Sequence, residues 1–471
     1  MSRLLLRGVT YVATFDDDET ELENADILVE DGVVSAVGHG LAVEGADRVV
    51  DGAGLVVLPG LVNAHQHLYQ GALRAIPEFE RAGIGPWLAG VSARCIDWWR
   101  AGRFGPAEVR AVARAVLAES LLGGVTTVAD QHYFFPSPEP TTSTPGRLRA
   151  RPSLPFVEAT IEAAKTVGVR LHACRGSITL GRAAGGTAAE TTVQDVAEVV
   201  RHCEELIERY HDPGPGAFVR IALAPCGVHV DLPELFDELA ALAASHDGVG
   251  LHTHLYERVD DEFCRARYGI TPWEFLEEHG WARPGTWLAH VVDPPPAEIP
   301  AMAAAGVGVA HLVGPDLRMG WGAAPVRAYL DAGVTLGFGT TGSASNDGAD
   351  VLGDLRIAAL VHRRDDVVPE RWPSARELLR AATRGSADCI GRPDLGRIEP
   401  GATADLSAWD LRRVDRVGVH DPLAGLVLTG LSSVASLVVV GGRVVIEDGT
   451  PIGFDPTEIA ATARRALGGS W

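Results

Sequence analysis

The chain has 471 residues, 46% of them hydrophobic, with 54 glycines and 29 prolines spread along its length. That excludes a disordered chain and leaves room for one large domain and a smaller one. Forty-one basic against 62 acidic residues give a formal net charge of -21, which disfavours a nucleic-acid backbone or an anionic membrane surface as partner but leaves a small neutral or weakly cationic ligand open.

Residues 1–57 read as short strands at 9–15, 25–29 and 33–37, separated by polar, glycine-containing turns. From 58 the texture changes. A strand at 58–65 is followed by helix 106–122, strand 124–130, helix 153–166, strand 169–173, helix 193–210, strand 219–225 and helix 232–245. Strand 250–254, strand 286–290, helix 298–305, strand 307–311, helix 324–332 and strand 334–339 complete the run. Eight β/α-like units can be counted. Alternation alone leaves a doubly wound sheet open. Histidines recurring at strand ends favour a distorted (β/α)8 barrel over 58–397, because a barrel gathers the C-terminal ends of its strands around one mouth.

Residues 398–471 return to short strands, at 404–409, 436–440 and 442–446. Neither chain end is large enough to stand alone, so the two are expected to close together as one small β-sandwich. The stretch 137–152 is polar and proline-rich. It reads as an exposed insertion after the second barrel strand, with a lid over the mouth as the alternative.

The six cysteines, Cys95, Cys174, Cys203, Cys226, Cys264 and Cys389, include no C-x-x-C pair. They read as reduced thiols in or near a core, not as a disulfide frame or a thiolate zinc site. The start of the chain shows no signal-peptide cleavage region, and no apolar run is long enough to span a bilayer. A cytoplasmic protein is expected.

The chemistry-bearing residues are histidines at strand ends. His65 and His67 are two apart, so a strand sends both to one face, where two imidazoles can approach one cation. His252-Thr253-His254 offers a second such pair, of which one member suffices as a ligand. Histidine nitrogens suit zinc, iron or nickel, and zinc is the default for redox-free hydrolysis. Glu257, three residues after His254, can carry a proton between water and leaving group; pairing with Arg258 is the structural alternative. His290 ends a further strand and can polarise substrate or orient the nucleophile, or be a core histidine bonded to a backbone carbonyl.

Taken in order, Pro59-Gly60-Leu61-Val62-Asn63-Ala64-His65-Gln66-His67, His254-Leu255-Tyr256-Glu257, His290 and Gly339-Thr340-Thr341-Gly342-Ser343-Ala344-Ser345-Asn346 resemble the motifs of the metal-dependent amidohydrolases. The resemblance covers essentially the whole chain. Within that superfamily the chain is most similar to s-triazine hydrolases acting on chloro- and methylthio-substituted rings of the atrazine and ametryn type. The deaminases of 8-oxoguanine and related aromatics are its next neighbours. The resemblance implies His65, His67 and His254 as ligands of one zinc ion per chain, with iron(II) as the alternative. It makes Glu257 the proton shuttle and places His290 beside the metal, assisting water or substrate. It leaves a homodimer open.

The deaminases carry aspartate where this chain has Thr341; the triazine hydrolases resemble this chain in having threonine there. A neutral hydroxyl orients water but is a poor base near neutral pH, so proton handling is expected to concentrate on Glu257. Chloride or a thiolate needs less proton assistance than ammonia. The expected reaction is therefore hydrolytic displacement of such a group from an s-triazine ring. Trp87 and Phe134 are candidates to stack on this small heteroaromatic substrate, Gln131 and Asn346 to make polar contacts, and Met319 and Trp321 to line an apolar side. Deamination of 8-oxoguanine, guanine or a related purine or pyrimidine is the alternative enzyme reading, and a non-catalytic metal- or ligand-binding protein the alternative of another class.

Overall fold

Two sheets organise the chain, and Gly60 is where it passes from one to the other. A computed structural model describes residues 2–137, 154–364, 367–431 and 433–469; the expected insertion lies outside the described residues except for Ser137. Among the described residues no helix is long and apolar enough to cross a membrane.

The first strands are β1 (Arg3–Ala13), β2 (Glu21–Glu30), β3 (Val33–Gly38), β4 (Arg48–Asp51) and β5 (Leu55–Pro59). After Gly60 come β6 (Leu61–His67), β7 (Val125–His132), β8 (Arg170–Ser177), β9 (Val219–Pro225), β10 (Gly250–Leu255), β11 (Thr286–His290), β12 (Gly308–His311), β13 (Thr335–Phe338) and β14 (Thr341–Gly342). The last are β15 (Leu406–Asp410), β16 (Leu437–Val440), β17 (Arg443–Glu447) and β18 (Thr450–Pro451).

Strands from both chain ends form one mixed sheet, ordered β18-β17-β16-β15-β5-β1-β2-β3, with β4 also on β1. Its two halves meet where β5 runs antiparallel to β15, Leu55 opposite Asp410 and Pro59 opposite Leu406. Leu6, Val9, Val12 and Ile27 from one end pack with Leu406 and Val439 from the other in a shared core. The expected union of the chain ends is thus a continuous hydrogen-bonded sheet.

The barrel strands follow one another in parallel from β6 to β13, and β14 returns to pair with β6, Thr341 opposite Gln66 and Gly342 opposite His67. β14 is the continuation of β13 after a break at Gly339-Thr340, and this pairing closes the barrel. Gly339 is required there, since a Cβ would stand 2.8 Å from the His65 carbonyl oxygen. Asn63 bridges the seam: its Nδ2 donates to Thr340 Oγ1 at 2.8 Å and to Gln66 Oε1 at 2.9 Å. Small side chains such as Ala64, Ala129, Cys174, Ala222 and Ala310 fill the barrel around Trp287, so the interior is a packed core and the mouth is the free end.

Most strands and helices lie near their expected positions, but the expected strand 58–65 is divided between β5 and β6 at Gly60. β7 and β8 run on to His132 and Ser177, beyond the expected ends at 130 and 173, because their mouth ends are polar and lose the apolar strand signature. Helices Ile84–Arg100, Val351–Val361 and Pro456–Ala466 were not anticipated. The first opens with Gly85 and Pro86, which read as a turn; the last, capped by Asp455, packs on helix Pro106–Leu122.

Candidate metal centre

β6, β10 and β11 deliver their terminal histidines to the barrel mouth. One ring nitrogen from each of His65, His254 and His290 lies within 4.8 Å of the others, and His67 Nε2 is 3.2 Å from His254 Nε2. Four imidazoles therefore converge. His290, expected beside the metal, contributes one of the three ring nitrogens that could together hold an ion.

The outer hydrogen bonds fix which nitrogen of each ring is free. His67 Nδ1 faces the Gln131 carbonyl at 2.8 Å, and His254 Nδ1 the Cys226 carbonyl at 2.5 Å. A carbonyl only accepts, so each Nδ1 carries the proton and each Nε2 is bare. His252 Nδ1 donates likewise to the Trp287 carbonyl at 2.8 Å, which leaves His252 Nε2 to accept from His65 Nδ1 at 2.7 Å. His65 Nε2 is then bare, buried and without a hydrogen-bond partner. His290 Nδ1 is 2.6 Å from Asp316 Oδ1, and its Nε2 is 3.5 Å from Glu257 Oε1.

Two bare nitrogens facing each other at 3.2 Å, and a third orphaned beside them, are repulsive unless a cation lies between them. Burial pushes His65, His67 and His254 well below the ordinary histidine range, and His290 down to about 3. Neutral imidazoles held by outer carbonyl and carboxylate partners are the form in which histidine ligates a transition metal. The set fits one divalent ion of nitrogen preference and does not suit calcium or magnesium.

Glu257 reaches the centre from the turn after β10, its Oε1 3.5 Å from His290 Nε2. Burial first, then Asp260 and Asp316, raises its carboxyl well above the usual range. Its backbone N–H is anchored on Asp260 Oδ1 at 2.7 Å. Thr341 is buried on β14 with φ 50°, a left-handed conformation rare for a β-branched residue. Tyr256 (58°), Arg258 (67°), His290 (72°) and Val291 (49°) share it. Five of the twelve described non-glycine residues with positive φ thus lie at the strand ends around the centre.

A narrow pocket, with about 40 Å³ of water-accessible space, opens over the centre. His67, His254, His290, Glu257 and Thr341 line it, and so do Trp87, Met319 and Trp321 among the expected substrate contacts. Trp87 is fixed by a bond from Nε1 to the Ala344 carbonyl at 3.1 Å, and Trp321 packs edge-on to His290 at 5.2 Å.

The other three expected contacts are placed behind the wall. The Gln131 side chain donates to the carbonyls of Ala224 and Pro225, and its backbone carbonyl holds His67. Phe134 stacks on Tyr69 at 6.0 Å within an aromatic cluster. Asn346 Nδ2 donates to the Thr340 carbonyl and to Asp354. Tyr133, Cys226, His229 and Ser345 also line the pocket and escaped the sequence reading, as did Asp316. Of these only Ser345 lies within one of the sequence motifs, and Asp316 follows a strand-end histidine, His311.

The model of the Amidohydrolase family matches residues 56–445. The structure of atrazine chlorohydrolase from Arthrobacter aurescens TC1 complexed with zinc is 56% identical, with a TM-score of 0.94, covering 98% of this chain and 100% of that one. The 8-oxoguanine deaminase of Pseudomonas aeruginosa is 36% identical, over 99% of this chain and 98% of its own. Hydroxydechloroatrazine ethylaminohydrolase of Pseudomonas sp. (strain ADP) is 33% identical, over 98% and 95%. With its histidine centre at the mouth of a closed parallel barrel, this chain belongs to the amidohydrolase family.

Proposed function

We propose that this chain is a metal-dependent hydrolase that displaces chloride, methylthio or a similar group from an s-triazine ring with water. The observation that carries the reading is Thr341: a neutral hydroxyl lines the pocket beside four neutral imidazoles, where a carboxylate would suit amine release. Identity of 55–56% with triazine hydrolase structures over nearly the whole chain supports the same substrate class.

His65, His67, His254 and His290 would hold one zinc ion, with iron(II) as the alternative. When bound, such an ion acts as a Lewis acid that brings the ionisation of water toward neutral pH. The surrounding residues place the ring and move the proton. Trp87, Met319 and Trp321 supply flat and apolar walls for a heteroaromatic ring. Hydroxide adds to the ring carbon that bears the leaving group, and aromaticity returns as that group departs. Glu257 accepts the proton that water gives up in forming the hydroxide and returns it to a ring nitrogen or to the leaving atom. Thr341 orients the nucleophile by hydrogen bonding without taking its proton. Free thiols at all six cysteines support a cytoplasmic site of action.

Amine release from a purine is the second reading, favoured by the 36% identity with 8-oxoguanine deaminase. A panel of chloro-, methylthio- and amino-substituted triazines with 8-oxoguanine, run on zinc-loaded and chelator-stripped protein, separates the two. Chloride and methanethiol release that requires zinc supports the proposal; ammonia from 8-oxoguanine with no triazine turnover overturns it.

A further inference from the structure

The turn after β9, residues 226–231, is built around one buried carboxylate. Asp231 is fully buried. Its Oδ1 accepts from the hydroxyls of Ser177 at 2.9 Å and Thr179 at 3.1 Å, at the end of β8. Its Oδ2 accepts from the backbone N–H of Cys226 at 2.8 Å and Gly227 at 3.5 Å. The N–H groups of Val230 and Asp231 both return to the Gly227 carbonyl, at 3.1 and 3.0 Å, which tightens the turn. Asp231 touches neither the pocket nor any of the four histidines, and burial, against these four donors, raises its carboxyl to about 7.

One contact links this turn to the centre. The Cys226 carbonyl accepts from His254 Nδ1 at 2.5 Å, on the same residue whose amide Asp231 holds. The Cys226 side chain and the His229 ring both line the pocket from this turn, and His229 Nδ1 is buried without a partner. A buried carboxylate is costly to desolvate, and the strand ladder does not need this one.

We propose that Asp231 is a positioning residue for the metal centre: by fixing the Cys226 amide it aims the Cys226 carbonyl at His254, keeps the His254 proton on Nδ1 and leaves Nε2 bare for the ion. The inference rests on the divalent-metal reading above. Outer partners of metal-bound histidines typically contribute about 10- to 100-fold in metal affinity. The Cys226 N–H is shared between Asp231 Oδ2 at 2.8 Å and the Ser177 carbonyl at 3.2 Å; Asp231→Ala removes the shorter bond and should weaken zinc binding at least about tenfold. Asp231→Asn can turn its amide oxygen to Cys226 and its amide nitrogen to the two hydroxyls, and should restore affinity to within about threefold of the parent. Ser177→Ala combined with Thr179→Val strips the opposite oxygen and leaves the Cys226 bond intact, so it too should stay within about threefold.

Affinity is read by competition with a chromophoric zinc chelator, and geometry by the visible bands of the cobalt-substituted protein, which should shift only in Asp231→Ala. Wild-type affinity and an unshifted cobalt spectrum in a folded Asp231→Ala protein would overturn the proposal, as would equal weakening in the Ser177/Thr179 variant. Should Asp231→Ala not fold, ring nitrogen NMR of the wild-type apoprotein decides: His254 carrying its proton on Nδ1 supports the link, and on Nε2 overturns it. A wild-type protein that binds no zinc at all would sink the metal reading itself, a failure distinct from these.

Discussion

In the proposed reaction Glu257 and Thr341 divide between them what a carboxylate pair would do in a deaminating site. Glu257→Gln keeps the shape of the side chain and removes its proton. Turnover should fall at least about tenfold while one equivalent of zinc is retained, measured by steady-state kinetics beside metal analysis. Near-normal turnover would remove Glu257 from its role. Thr341→Asp adds a negative charge beside the four imidazoles and a base beside the nucleophile. It should leave the fold intact and change the pH–rate profile or the preference between chloride and amine, tested on paired substrates. An identical profile and preference would show that position 341 does not tune the chemistry.

The sequence marked these residues because their types and spacing carry chemistry: an HxH pair at a strand end, a glutamate three residues past a histidine, a hydroxyl in a metal-site motif. It could not show that the ring nitrogen of His290 joins those of His65 and His254, because ligand distance depends on how β10 and β11 are placed side by side. Nor could it separate Trp87, which reaches the pocket, from Phe134, which packs behind it. Both are buried aromatics, and only the path of the chain tells them apart.

At the scale of elements, the decisive joint is the passage from β5 to β6. Gly60 donates its N–H to the Asp405 carbonyl at 2.9 Å, and a Cβ there would fall 2.2 Å from Thr126 Oγ1 and 2.8 Å from Thr126 Cβ. No rotation of Thr126 relieves a clash with its own Cβ. Gly60→Ala should therefore cost about 1–3 kcal/mol of stability, read from denaturant unfolding, and should lower zinc affinity because His65 and His67 lie on the strand that must shift. A change below about 0.5 kcal/mol would mean the joint has slack. The sequence reads as a single strand, 58–65, through Pro59-Gly60; the break there, where two sheets exchange one chain against a threonine of β7, has no local signature. β14 was legible only as the tail of a strand, since a two-residue segment has no periodicity to read.

The whole molecule is tied together on the far side of the barrel from the metal centre. Arg170 of β8 meets Asp405, just before β15, through Nε at 2.8 Å and Nη2 at 3.1 Å, both side chains almost wholly buried. Removing one partner of a buried pair leaves the other charge uncompensated, so Arg170→Ala should cost about 3–5 kcal/mol, measured by chemical denaturation; a loss under about 1 kcal/mol would place the pair with exposed ion pairs in effect. Asp394 extends the same junction. Burial works to raise its carboxyl, but bonds from Arg392 and the Gly216 N–H win and hold it below the usual range. A depressed folded value gives stability that is present above the unfolded value of about 3.9 and is lost as pH falls toward the folded one. The stability advantage of the parent over Asp394→Asn should thus be constant from about pH 6 to 8 and shrink below about pH 4; an advantage unchanged at about pH 3 would contradict this.

The union of the chain ends was legible as two strand-rich regions, each too small to stand alone, whereas the Arg170–Asp405 cross-link joins residues 235 positions apart and has no local signature. The account as a whole turns on which bond is broken at the ring, and one substrate tests that directly: an s-triazine bearing chloride and alkylamines on the same ring, given to the zinc-loaded protein with the product identified by mass. Loss of chloride with both amines retained is the expected result. Loss of an amine with chloride retained would contradict it.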